Sequence, residues 1–197
     1  LANHPDVQDV LLLGVAGDQS IAVDGEIYLT EADKPVAPVQ MVLGDLSTIG
    51  AILLEGRGLA LGFDQEATSV MVSRSLAERL WSGRSPIGQT IRVGDPGQKD
   101  GDLYRVGGIV SNTPVSGTTL FDQQTDMVYL PLGRADADII TAIIRSPSAP
   151  ESAALTLRNI VHEINSGLPV NIVHWVEDQQ STTFVMRAGV MLFTGCG

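Results

Sequence analysis

The sequence predicts an α+β fold, with a ferredoxin-like lobe made from the two ends of the chain and a strand-rich lobe inserted between them. Three observations carry this expectation. Short apolar runs of strand length recur from the start of the chain, bounded by Gly, Pro and Asp. One clear amphipathic helix follows Pro150, with Ala153, Ala154, Leu157, Ile160, Val161 and Ile164 on one face and Thr156, Arg158, Asn159, His162 and Glu163 opposite. Between the outer segments, turn signals come at short intervals among β-rich stretches. Helices packed on one face of a sheet give the α+β class.

Taken in order, the run from Val7 to Ala16 reads as a buried strand that stops at Gly17-Asp18. A second strand is expected from Ser20 to Leu29 and a third from Pro38 to Leu43. Asp45 is placed to cap a short helix reaching about Ala51, because its carboxylate accepts free amide hydrogens of the first turn. Gly56-Arg57-Gly58 reads as a turn that breaks the pattern. The inserted lobe then holds a strand at Ser69–Ser73 and a helix at Ser75–Trp81, whose apolar face is Leu76, Ala77, Leu80 and Trp81. Pro86-Ile87-Gly88 turns into a strand at Gln89–Val93. The Asp95–Asp102 loop leads to the returning strand Leu103–Ser111, and Met127–Leu132 follows. A strand at Ile139–Arg145, the helix after Pro150 closed by Gly167, and a strand at Pro169–Val176 complete the outer lobe.

Composition narrows the function. The chain has 197 residues, 44% hydrophobic and 18% charged, and a net charge of −11 from 23 acidic and 12 basic residues. Such a balance repels phosphate backbones and anionic headgroups, and no Lys/Arg cluster offsets it, so nucleic-acid binding is not expected. The single cysteine, Cys196, excludes an internal disulfide and a Cys-based zinc site. No signal peptide is visible, and the apolar stretch Ala188–Thr194 fits either a core element or the first turns of a spanning helix, which needs about 20 apolar residues.

Catalytic motifs are absent. There is no Gly-Lys pair, hence no P-loop, and no G-x-S-x-G elbow. His4, His162 and His174 are scattered; His162 falls on the polar face of the amphipathic helix. Trp81 and Trp175 occupy apolar positions that suit core packing over ligand stacking. The loop carrying Asp95, Asp100 and Asp102 offers hard oxygen ligands, but it lacks the EF-hand spacing, contains Lys99, and has the Asp/Gly content a hairpin loop needs. These three aspartates are the weak metal candidates. No catalytic residue and no cofactor is expected; Arg84 and Gln89 are candidate exposed contacts beside the Pro-Ile-Gly turn.

One ordered set of motifs remains. Val72-Ser-Arg-Ser-Leu-Ala-Glu-Arg-Leu-Trp81, then Ser82-Gly-Arg-Ser-Pro-Ile-Gly88, then Gln89-Thr-Ile-Arg-Val-Gly94 closely resembles the MacB-like periplasmic core domain. That family has a strand, an N-E-x-x-A-x-x-x-[FW] helix, a D-P-[IV]-G turn and a K-x-[IL]-x-[LI]-G strand in this order. Tyr104–Val110, Val128-Tyr-Leu-Pro-Leu132, Leu46–Gly50 with Glu55-Gly-Arg57, and Leu168-Pro-Val170 resemble further segments of it. Ser73 and Arg74 stand where the family has Asn-Glu, Leu46 replaces an aromatic, and Ser85 replaces an acidic residue, changes that bear on local capping and packing.

The resemblance implies a porter-like lobe from residues 1–53 and 138–180, a sabre-like lobe from 54–137, and the start of a truncated transmembrane helix at 181–197. It implies an extracytoplasmic, periplasmic-side domain of an inner-membrane ABC transporter permease of the FtsX/MacB type. The expected partners are an ABC ATPase subunit or domain and a second permease protomer, with a periplasmic adaptor as a further candidate. The role implied is non-catalytic coupling of membrane-helix motion to export or mechanotransmission. The alternatives are a sensor or ligand-binding domain without transport and, more remotely, a metal-dependent hydrolase using the three aspartates.

Overall fold

The computed structural model describes residues 7–59, 68–97, 101–112, 126–133, 139–146, 150–164, 166, 170–177 and 184–191. Its organising element is β1, Asp9–Val23, one strand where the sequence predicts two. Gly17 reads as the end of the first strand in the sequence, but it sits in a β-bulge: β1 pairs antiparallel with β2 (Val36–Leu43) on both sides of a register shift between Val15 and Gly17. Gly17 takes φ 74°, a left-handed conformation that glycine adopts without a Cβ penalty. One extra residue inverts which side chains face which side. Ahead of the bulge Leu11 and Leu13 enter one apolar cluster and Leu12 leans on another; beyond it Ile21 and Val23 enter the cluster that Leu12 touches. Residues 24–29, expected as strand, lie outside any strand.

The inserted segment folds against this strand. Its elements are β3 (Leu53–Gly56), β4 (Ser69–Ser73), α1 (Arg74–Trp81), β5 (Thr90–Gly94), β6 (Asp102–Val110) and β7 (Val128–Pro131). β2 pairs parallel with β7, β7 antiparallel with β4, β4 parallel with β6, β6 antiparallel with β5, and β5 antiparallel with β1. Since β1 also pairs with β2, these six strands close into a ring. The small barrel interior is filled by Ile21, Val39, Met41, Val70, Val72, Ile91, Val106 and Val128, as expected for a closed sheet of this size. The outer side of the same wall carries Val42, Met71 and Tyr129, which meet Leu11, Leu13 and Ile143 in a second cluster. All four residues of β7 are therefore buried, and its sequence shows no polar alternation.

Helix α1 closes one end of the barrel. Its Leu76, Ala77 and Trp81 belong to the interior cluster, and Trp81 is 2% exposed, the core role its apolar position predicts. Ser73 caps the helix, accepting the Leu76 N–H, and Ser82 ends it in a left-handed conformation. Arg79 holds the helix to the rim, donating to the Val36 carbonyl at 3.1 Å and pairing with Asp126 at 2.7 Å. The short cap expected after Asp45 is a 3-10 turn, Leu46–Ile49, with the Asp45 carboxylate accepting from Ser47 N.

Two features depart from the expected elements. β3 occupies a stretch to which the sequence assigns no strand and ends on Gly56, the first residue of the expected turn, pairing with the far half of β6; a Cβ on Gly56 would lie 2.1 Å from the Gly107 carbonyl oxygen. The apolar C-terminal segment, expected to open a spanning helix, is extended where it is described. β8 (Ile139–Ser146) flanks the first half of β1, β10 (Phe184–Met191) pairs with β8, and β9 (Val170–Glu177) pairs with β10. With a strand on either edge, the backbone groups of β10 are satisfied without helix formation. α2, Pro150–Ile164, packs on β9 and β10. No helix among the described residues is long and apolar enough to cross a membrane. The molecule is α+β in class, as expected, with one mixed sheet whose closure joins the N-terminal and inserted segments around a shared core.

Candidate functional site

The barrel has two unlike ends. α1 seals one. At the other, the partner on the outer edge of β1 changes: β8 pairs with residues up to Gly14 and β5 begins at Ser20. Between them the edge of β1 bulges, and the sheet leaves a notch. A cavity of about 430 Å³ opens there. Buried Val39, Val93, Tyr104 and Leu130 form its floor, and Gln19, Asp95 and Asp102 stand at its lip. Gln19 spans the notch, donating its amide to the Ala16 carbonyl at 3.0 Å and to Asp95 Oδ1 at 3.3 Å. The Tyr104 hydroxyl reaches Asp102 Oδ2 at 3.5 Å. An apolar hollow with a few polar groups at its rim, in the mouth of a barrel, is the usual form of a small-molecule site.

Of the three acidic candidates, Asp95 and Asp102 are brought to this one rim, and Asp100 lies outside the described residues. Among the described residues no group of three or more His, Cys, Asp or Glu side chains is placed to hold a metal ion. His162 is exposed on α2. His4 and Cys196 fall outside the described residues, as do the side chains of His174 and Trp175 on β9.

A second hollow, about 550 Å³, lies between α1 and β3, with Leu54, Ala77 and Ile109 below and Glu55, Arg74, Glu78 and Arg84 around it. Arg84, the candidate contact, is exposed here and pairs with Glu26 at 3.1 Å. Gln89 is exposed too, while its backbone closes the turn to Pro86 and accepts from Val106 N. Beside this hollow Ile52, Leu53 and Leu54 are 65%, 45% and 36% exposed, and the loop tip carries Ile27 and Leu29 at 89% and 90%.

The sequence gives no sign of the barrel-mouth floor. Val39, Val93, Tyr104 and Leu130 come from four strands and are ordinary inward positions of each; only closure of the ring brings them together. Gln19 carries no signal of its own either: it falls in the gap between the two strands read at Val7–Ala16 and Ser20–Leu29.

Comparison with known proteins agrees with the order of motifs. The family model described as MacB-like periplasmic core domain matches residues 7–160. Among solved structures, the periplasmic region of MacB from Actinobacillus actinomycetemcomitans superposes with a TM-score of 0.60 at 16% identity, covering 84% of this chain and 71% of that one. The extracellular domain of the ABC-type transporter YknZ from Gram-positive bacteria gives 0.52 at 14% identity, over 82% and 80%. At such identities the likeness is one of fold. No curated protein matches the sequence. With the family model spanning both the barrel and the start of the side sheet, the chain belongs to the MacB-like periplasmic core domain family of ABC transporter permeases.

Proposed function

We propose that this domain couples ATP-driven motion of membrane helices to export or mechanotransmission on the extracytoplasmic side, without chemistry of its own. The observation that carries the reading is the family match over residues 7–160. The packing supports it: β1 runs through both apolar clusters, so displacement of one end of the domain moves the other as a rigid body. On this reading residues 1–53 with 138–180 act as the porter-like lobe and 54–137 as the sabre-like lobe. ATP hydrolysis belongs to a separate subunit or domain, and a second permease protomer and a periplasmic adaptor are the partners. The exposed apolar residues Ile27, Leu29 and Ile52–Leu54 offer contact surface for them.

The test uses the full-length parent permease reconstituted with its ATPase, spin-labelled at Glu78, an exposed position on α1. Coupling predicts a change in the inter-protomer label distance between nucleotide-free and ATP-trapped states. An unchanged distance during active ATP turnover contradicts it. A second reading, an extracytoplasmic ligand-binding or sensor domain without transport, is favoured by the barrel-mouth cavity.

A further inference from the structure

We infer that the outer edge of β3 and the hollow between β3 and α1 form a docking site for an extended segment of a partner protein, one that alternates apolar and basic residues and adds to the sheet as a further strand. The inference concerns how β3 is covered. It stands independently of the coupling reading, and its failure would not touch that reading.

The backbone sets the class of partner. Ser111 donates its N–H to the Ile52 carbonyl at 2.8 Å, and Arg57 donates to the Gly107 carbonyl at 2.9 Å. In an antiparallel ladder these bonds flank Leu53–Val110 and Gly56–Gly108, which are therefore the wide, non-hydrogen-bonded pairs. The N–H and C=O of Leu53 and Gly56 consequently point away from β6. Among the described residues no strand pairs with that side of β3. Another extended backbone is what matches such groups. Just beyond β3 the chain passes to the opposite face of the sheet, where Leu59 joins the cluster of Met71 and Tyr129. Four residues long and bulged between Leu53 and Glu55, this edge discourages open-ended stacking of copies and suits a single added segment.

The hollow sets the side chains. A residue bonded to Leu53 turns its own side chain to the face of Leu53, so the residues before and after it fall on the face of Leu54. Leu54 lines the hollow of about 550 Å³, together with Ala77 and Ile109. The apolar surface here is open: Ile52, Leu53 and Leu54 are each at least 36% exposed, so docking covers hydrocarbon that water now touches. Alternate apolar residues of the added strand therefore enter the hollow.

Charge sets the residues between them. Among the charged side chains lining the hollow, Arg84 is held by Glu26 at 3.1 Å, while Arg74 and Glu78 stand one turn apart on α1 and offset each other. Glu55, on β3 itself, is exposed and makes no ion pair among the described residues. A lysine or arginine of the added strand answers this carboxylate. The net charge of −11 draws a basic segment in and turns an acidic one away.

The probe is an acetylated, amidated hexapeptide of alternating lysine and valine, compared with its glutamate–valine counterpart. Each is titrated into the isotope-labelled 197-residue chain and followed by amide chemical shifts and exchange. The basic peptide is expected to bind saturably, with shifts centred on Leu53–Gly56 and Ala77, and to slow exchange of the Leu53 amide at least about tenfold at saturation. In low salt it is expected to bind at least about threefold more tightly than the acidic peptide, a preference that added salt reduces and Glu55→Lys removes. Of two basic peptides N-methylated at the lysines or at the valines, one is expected to lose binding and the other to keep it, because an added strand turns only alternate N–H groups toward β3. Leu53→Pro deletes an outward N–H and no bond to β6; it is expected to fold, with the Ser111 amide protected as before, and to lose the peptide. Should it not fold, the methylated peptides decide on the unaltered chain. Equal behaviour of the two methylated forms, no preference between the basic and acidic peptides, shifts centred elsewhere, or no saturable binding each overturns the assignment. So does self-association of the free chain through β3, seen as dilution-dependent shifts at Leu53–Gly56, which would give the edge to a second copy.

Discussion

Ser73 Oγ accepts the backbone N–H of Met127 at 2.9 Å while also capping α1 through Leu76 N at 3.4 Å. This one hydroxyl, 1% exposed, joins the end of β4, the start of the helix that seals the barrel, and the entry to β7. The family pattern places Asn here, and Ser is an equally good cap. Removing the hydroxyl leaves two donors short of an acceptor in a dry site. Ser73→Ala is expected to lower stability by about 1–3 kcal/mol in chemical denaturation. A loss within a few tenths of a kcal/mol would show that the cap is dispensable.

Burial pushes the Tyr129 phenol up to about 12 from its ordinary 10. A raised folded-state value means the native protein holds this proton where the unfolded chain has released it. Stability from this group is therefore complete below about pH 10 and declines as the pH rises towards 12, by about 2–3 kcal/mol over that window. Tyr129→Phe is expected to flatten this alkaline limb in denaturation curves measured between pH 9 and 12. The same slope in the variant would assign the loss to other groups.

Ser82 is the one residue other than glycine with positive φ among those described, at 34°, and it is exposed at the C-terminus of α1. The left-handed conformation costs a side-chain-bearing residue about 1 kcal/mol. Ser82→Gly is expected to raise stability by about 0.5–1 kcal/mol, net of the entropy that glycine adds to the unfolded chain. A decrease would mean that the hydroxyl has a structural role of its own.

Gly56 shows the opposite case. Its φ is 78°, and an added Cβ would fall 2.1 Å from the Gly107 oxygen and 3.0 Å from Gly108 Cα, both backbone. Gly56→Ala has no route to relief except separation of β3 from β6. A loss of at least about 2 kcal/mol is expected, with faster amide exchange at Ser111, whose N–H donates to the Ile52 carbonyl at 2.8 Å beside β3. Wild-type stability in this variant would show that β3 is not held against β6 in solution.

What the sequence reveals and what it hides follow one physical line. Elements specified locally are legible: Ser69–Ser73 is a run of apolar and β-branched residues, α1 shows its face through Leu76, Ala77 and Trp81, and Asp45 announces its turn. Features that depend on distant partners are not. Gly17 has the same chemistry in a turn and in a bulge, and only continued pairing with β2 decides between them. The exposed Leu53-Leu54-Glu55 stretch is strand because β6 stands beside it. The apolar segment from Phe184 to Met191 carries no periodicity that separates strand from helix; β8 and β9, one on each edge, make it a strand. Asp95 and Asp102 were visible as an acidic loop, while the apolar hollow behind them needed the closed ring.

The central claim is that this domain belongs to a working ABC transporter, and the most direct measurement is affinity capture of the full-length parent protein from its native membrane. The account predicts that a P-loop ATPase copurifies in fixed stoichiometry, or is found fused elsewhere in the parent chain, since this domain has no Gly-Lys pair with which to bind nucleotide in that way. A parent protein recovered intact with neither a bound nor a fused ATPase would contradict it and would leave the fold in the service of sensing.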